Sequence, residues 1–147
     1  MMRFEKINDA TRCNCLEGAS QNTADLFVRK IRKSPALKDE DFRSYIERGK
    51  TPEAGPCLQT CGYYGVSFEI WNDSSTKGLL EKYRYTAAIS PKSKNNLCVV
   101  RFKAHSGLLK HSPDQQIYNV HHYDLYKDDT FFAADLELIE MISLNAN

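Results

Sequence analysis

The sequence predicts an α+β fold: a helical N-terminal half packed on a small antiparallel β-sheet, with a C-terminal helix covering the sheet. Three observations lead there. Apolar residues before residue 50 recur at helical spacing, those in 66–70 and 97–105 alternate, and those after Thr130 return to helical spacing. Period 3.6 and period 2 are the signatures of a buried helix face and a half-buried strand.

Asn22-Thr23 reads as a helix start, with Ala24, Phe27, Val28 and Ile31 along one face and Ser34-Pro35 as the stop. Asp39, Glu40 and Asp41 suit the positive end of a second helix dipole, Phe42, Tyr45 and Ile46 form its stripe, and Gly49 its C-terminal cap. Two prolines and a glycine make 51–56 a loop. Val66, Phe68 and Ile70 then mark a strand over 65–71, and Asp73 to Thr76 supply turn and capping residues for a short helix carrying Leu79, Leu80, Tyr83 and Ala87. A strand over 97–105 sets Cys98, Val100, Phe102 and Ala104 on one face. A second, over 116–126, is rich in aromatic and branched residues, with a hairpin loop between the two over 106–113. Thr130 caps a final helix in which Phe132, Leu136, Ile139 and Ile142 share a face.

A chain of 147 residues suits one domain, 1–147, with a mobile arm over 1–20. A domain of this size buries roughly 68–70% of its unfolded surface, so it needs neither metal nor disulfide merely to fold. No apolar run approaches the roughly 18 residues of a membrane span. Met1 to Lys6 has no apolar core behind its first charge, so no secretion signal is expected. Five cysteines, an odd count, then predict reduced thiols and a cytoplasmic location. Asn72-Asp73-Ser74, a glycosylation acceptor only in secreted chains, has no role in that reading. The net charge is +1 but uneven, with 11 Lys or Arg against 8 Asp or Glu in 1–50, and 4 against 7 in 97–147. A dedicated nucleic-acid binder is usually more basic. The dipolar spread suits a protein that docks on, or folds against, another charged surface; the expected partner is another protein, with no membrane.

Chemistry concentrates in three places. Cys13 and Cys15, with Cys57 and Cys61, could place four thiolates around one zinc ion and clamp the N-terminus onto the middle of the chain. About 41 residues separate the pairs, more than the roughly 12 to 20 of compact zinc modules. The plainer reading leaves Cys57 and Cys61 as small apolar residues on a helical turn, and a redox bridge within either pair is the third.

His122 and Asp124, two apart on a predicted strand, share a face. A hairpin symmetrical about position 110 would set Cys98 opposite His122, aligning Cys98, His122 and Asp124 as nucleophile, base and orienting carboxylate of a hydrolase. A one-residue slip removes that triad and leaves a hydrogen-bonded structural histidine. His105, His111 and His121 could join His122 and Asp124 in a metal site, although the spacing matches no compact motif. Third, Arg29, Arg32 and Lys33 would stand on one helical face as a phosphate-contacting ridge for RNA or DNA, or simply as a solvated face. Eight tyrosines suit an interaction surface. With no recognised catalytic signature, the sequence favours a small intracellular binding or interaction module, with zinc as the one cofactor in view.

Overall fold

The computed structural model describes residues 2–32, 35–52, 55–89, 95–113 and 120–144. Among them, six strands form one antiparallel sheet: β1 (Leu26–Ile31), β2 (Val66–Trp71), β3 (Asn96–Arg101), β4 (Gly107–His111), β5 (His122–Lys127) and β6 (Glu137–Ser143), in spatial order β4-β5-β2-β1-β3-β6. Three helices accompany it: α1 (Glu5–Asn8), α2 (Cys57–Gly62) and α3 (Thr76–Ile89). The predicted helical half and C-terminal helix are therefore wrong. The sheet is the body of the molecule, and the helices are short additions to it.

The physical reasons are local. Asn22 does cap, but it caps a turn: its Oδ1 accepts from the backbone N–H groups of Ala24 at 3.1 Å and Asp25 at 3.0 Å, and the chain then enters β1. Phe27, Val28 and Ile31 are all wholly buried. A strand covered on both faces is apolar on both, and its pattern cannot be told from a helix stripe by spacing alone. The acidic triplet heads only a 3-10 turn, Asp39–Phe42. Near the C-terminus, Thr130 donates its N–H to Asp128 Oδ2 at 3.0 Å, so it closes a turn instead of opening a helix. Leu138, Ile139, Met141 and Ile142 then run along β6.

Where the period was 2, strands do form: β2 covers most of the expected 65–71, β3 ends at Arg101 rather than at 105, and α3 follows the Asn72 to Thr76 cluster. Asn72 Oδ1 accepts from Ser75 N at 3.1 Å at the start of α3. Of the 116–126 strand, residues 122–126 lie in β5, while 116–119 fall outside the described residues.

Phe27, Phe68, Val100 and Leu125 pack on one face of the sheet beneath Phe42, Phe102 and Leu136 from the connecting segments. On the other face, α3 brings Leu79 and Ala87 onto Val28, Leu97 and Val99, and the N-terminal segment brings Ile7 and Cys15 onto Tyr126.

That segment is bolted down. Cys13 bonds Cys57 and Cys15 bonds Cys61, with S–S distances of 2.07 and 2.05 Å. Arg3 N–H donates to Asp128 Oδ1 and Glu5 N–H to Asp129 Oδ2. Two disulfides overturn the expected cytoplasmic location, because reducing compartments keep such thiols apart; they point to an oxidising environment outside the cytoplasm. No helix among the described residues is long and apolar enough to cross a membrane.

The two edges of the sheet differ. Ser20 exchanges backbone hydrogen bonds of 2.9 and 2.8 Å with Leu109 and so occupies the outer side of β4. At the opposite edge, β6 pairs with β3 on one side, and Leu138 and Ile139 there are exposed.

Candidate functional site

The sheet splits at its centre. β1 pairs with β3 along all six of its residues, Leu26 to Ile31, but with β2 only from Leu26↔Trp71 to Val28↔Glu69. β2 meanwhile pairs with β5 through Ser67 and Val66. Beyond Val28 and Glu69 each strand stays with its outer neighbour, and backbone carbonyls facing the gap need new donors. Arg29 supplies them. Its Nη1 donates to the Ser67 carbonyl at 2.9 Å and its Nε to the Asp41 carbonyl at 2.8 Å, while the guanidinium lies 5.9 Å from the Phe68 ring centre. Burial pushes its pKa below the ordinary arginine value. An arginine remains charged in proteins even so.

A cleft of about 250 Å³ opens at this split. Arg29, Lys30, Arg43 and Arg48 bring four cationic side chains to its walls, against the single carboxylate of Glu69. That carboxylate is already engaged, by Lys82 at 3.3 Å and by the hydroxyl of Tyr83. Burial and Glu69 together push the Tyr83 pKa up, so its hydroxyl stays a donor. Arg43 donates to the Glu40 carbonyl at 3.2 Å, and Arg48 sits 5.7 Å from the Tyr45 ring centre. The ion pairs among the described residues, Lys82–Glu69, Arg101–Glu137, His105–Asp135 and Lys127–Glu47, include none of the three arginines.

One wall carries a polar relay. Ser67 and Asp124 are cross-strand partners, as are Glu69 and His122, so all four point to the same face. His122 Nδ1 lies 2.7 Å from the Ser112 carbonyl and 3.0 Å from Ser112 Oγ. A carbonyl only accepts, so in the neutral imidazole Nδ1 carries the proton and Nε2 is an acceptor. Ser67 Oγ stands 3.1 Å from that Nε2. Ser112 Oγ in turn donates to Asp124 Oδ2 at 2.9 Å, and burial raises the Asp124 pKa against the lowering influence of His122. Gly65 leaves the room: a Cβ there would lie 2.8 Å from Asp124 Cβ.

His122 and Asp124 thus fall in one network, as their spacing implied, but Cys98 does not join them. Its strand is separated from β5 by β1 and β2, a distance of about 14 Å at roughly 4.8 Å per strand. Cys98 faces Arg29 and Met141 instead. The symmetrical hairpin fails because a further strand, β4, lies within the segment expected to be loop and takes β5 as its partner. Burial, the dominant influence, pushes the Cys98 thiol up to about 12, the opposite of an activated nucleophile.

The four N-terminal and central cysteines do meet, and they do clamp the N-terminus to the middle of the chain. They pair across the two short spacings rather than within them, so a bridge inside either pair is not formed. A disulfide sulfur is no thiolate, and zinc would need all four reduced. The remaining histidines are dispersed: His105 pairs with Asp135 at 3.7 Å, and His111 Nε2 meets the Val120 carbonyl at 2.7 Å. Among the described residues no group of three His, Cys, Asp or Glu could hold a metal.

The basic ridge is not helical either. Arg29 lies in β1, exposed Arg32 just beyond it, and Lys33 outside the described residues. Arg32 lines a smaller hollow of about 110 Å³ together with Arg29, Arg43 and Arg48. Sequence reasoning missed Arg43, Arg48, Ser67 and Ser112. The density of arginine from 29 to 48 was the available signal for the first two.

No family model, no characterised protein and no solved structure matches this chain.

Proposed function

We propose that this chain is a binding module of an oxidising compartment that takes an oxyanion group, carried on a protein partner, in the cleft at the β1–β2 split. The observation that carries this reading is the set of three guanidiniums, Arg29, Arg43 and Arg48, lining one cleft with no ion-pair partner among the described residues. Bringing like charges together costs energy in the free protein, and an anion removes that cost on binding. Arginine forks also match carboxylate and phosphate oxygens two at a time. Lys30 adds charge, and Tyr45 adds an aromatic wall to the same cleft. Two disulfides and the bonded N-terminal segment give the cleft a fixed frame, which lowers the entropy cost of binding.

Calorimetric titration with inorganic phosphate and with a glutamate-rich peptide tests this. Both should bind, more weakly as salt rises, and Arg43→Ala with Arg48→Ala should weaken the peptide at least tenfold. Absence of binding by either probe at low salt would end the reading. An oligonucleotide that binds more tightly than the peptide, with a steep salt dependence, would replace the protein partner by a nucleic acid.

A further inference from the structure

Binding alone leaves one part of the cleft unexplained. An oxyanion site needs donors, yet the wall facing Arg29 presents an exposed serine hydroxyl within hydrogen-bond reach of a histidine nitrogen that is an acceptor in the neutral imidazole. That nitrogen is fixed by three successive contacts: Ser67 Oγ to His122 Nε2 at 3.1 Å, His122 Nδ1 to the Ser112 carbonyl at 2.7 Å, and Ser112 Oγ to Asp124 at 2.9 Å. Nucleophile, base and orienting group are thus in contact, which is the geometric requirement for acyl transfer. Ser67 and His122 both line the cationic cleft.

We propose that Ser67 is a nucleophile and His122 its general base, acting on an ester whose acyl group carries a carboxylate or phosphate end. The inference rests on the oxyanion reading of the same cleft, since Arg43 and Arg48 would hold that end. Ser67 Oγ attacks the ester carbonyl carbon while its proton passes to His122 Nε2. The C–O bond to the leaving alcohol then breaks, and the alcohol oxygen takes the proton from Nε2. The acyl group remains on Ser67 Oγ until a water, deprotonated by the same Nε2, releases the carboxylic acid and restores the serine. Arg29, held against the Ser67 carbonyl, supplies positive charge beside the oxygen that becomes an oxyanion. Ser112 and Asp124 touch no substrate and act as positioning residues.

The oxidised chain is treated with diisopropyl fluorophosphate, whose P–F bond breaks as Ser67 Oγ bonds phosphorus and fluoride departs. One diisopropylphosphoryl group should appear on the peptide carrying Ser67, disappear in Ser67→Ala, and form at least 100-fold more slowly in His122→Gln. The 4-nitrophenyl monoester of benzene-1,4-dicarboxylic acid should turn over at least tenfold faster than neutral 4-nitrophenyl benzoate, a preference that Arg43→Ala with Arg48→Ala abolishes. Ser112→Ala should lower kcat with little change in KM. No modification, modification elsewhere, or ester turnover unchanged in Ser67→Ala would each overturn the proposal. Phosphate titration of the unsubstituted protein, beside its labelling, separates the two readings. A protein that still binds phosphate but is never labelled loses the catalytic proposal alone, whereas one that is labelled but binds no anion loses the binding proposal.

Discussion

Arg29 donates a 2.9 Å hydrogen bond to the Ser67 carbonyl where the β1–β2 ladder has already ended. A side chain there does the work of a missing backbone donor. Arg29→Lys keeps the charge but cannot fork to the Ser67 and Asp41 carbonyls together, the first exposed and the second half-buried, so it should cost about 0.5–1.5 kcal/mol, the usual net worth of a hydrogen bond. Urea unfolding measures it. A variant as stable as the parent would show that water serves these carbonyls equally well.

The disulfides close spans of 44 and 46 residues over nearly the same stretch of chain. Alone, each removes about 4 kcal/mol of unfolded-state entropy in the loop-closure description. Together they cannot remove it twice, because once Cys15–Cys61 is joined, Cys13 and Cys57 are already close. Cys13→Ser with Cys57→Ser should therefore cost far less than about 4 kcal/mol, and removal of both bridges most of that amount. Additive losses would contradict the shared-loop argument.

Three glycines separate steric need from backbone freedom. A Cβ on Gly107 would come within 2.2 Å of the Tyr126 carbonyl oxygen, at φ +149°, so Gly107→Ala should unfold β4 or prevent expression. Gly65→Ala pushes on the Asp124 side chain and should cost about 1–3 kcal/mol, the usual range for overpacking. Gly78 in α3 has nothing within 4 Å, and Gly78→Ala should stabilise by up to about 1 kcal/mol. Thermal unfolding of the three variants checks the ranking.

Burial raises the Cys98 thiol from 9.0 to about 12. At pH 8.5 iodoacetamide should therefore alkylate the folded protein on the order of a thousandfold more slowly than the unfolded chain. The sign for stability follows, because a raised acid pKa means the unfolded state loses its proton first. Stability should fall as pH rises above about 9, by up to about 1.4 kcal/mol per unit, and Cys98→Ala should flatten that limb. Rapid labelling of folded protein would contradict the burial.

Legibility in the sequence followed exposure. Exposed Ser67 between buried Val66 and Phe68 gives β2 an alternation that could be read directly, whereas β3, buried on both faces from Asn96 to Val100, was legible only as a short apolar run. β1 could not, since Phe27 and Val28 are wholly buried on opposite faces and Ala24, Phe27, Val28 and Ile31 also fit helical spacing. The short β4 passed for a loop, and with it went the partner of β5 and the register that had set Cys98 against His122. The pairing of His122 with Asp124 survived because two-residue spacing on a strand fixes the face whatever the neighbour. The cysteines revealed that two distant segments meet, but spacing alone does not tell two bridges from four ligands.

The unequal edges of the sheet set a ceiling on assembly. With Ser20 bonded to Leu109 on the outer side of β4, β6 is the more open edge for intermolecular strand pairing among the described residues. Two molecules joined through β6 would present a β4 edge at each end, both plugged. Growth by sheet extension would stop at a pair, and the N-terminal segment bolted by Cys13 and Cys15 would be what terminates the fibre before it starts.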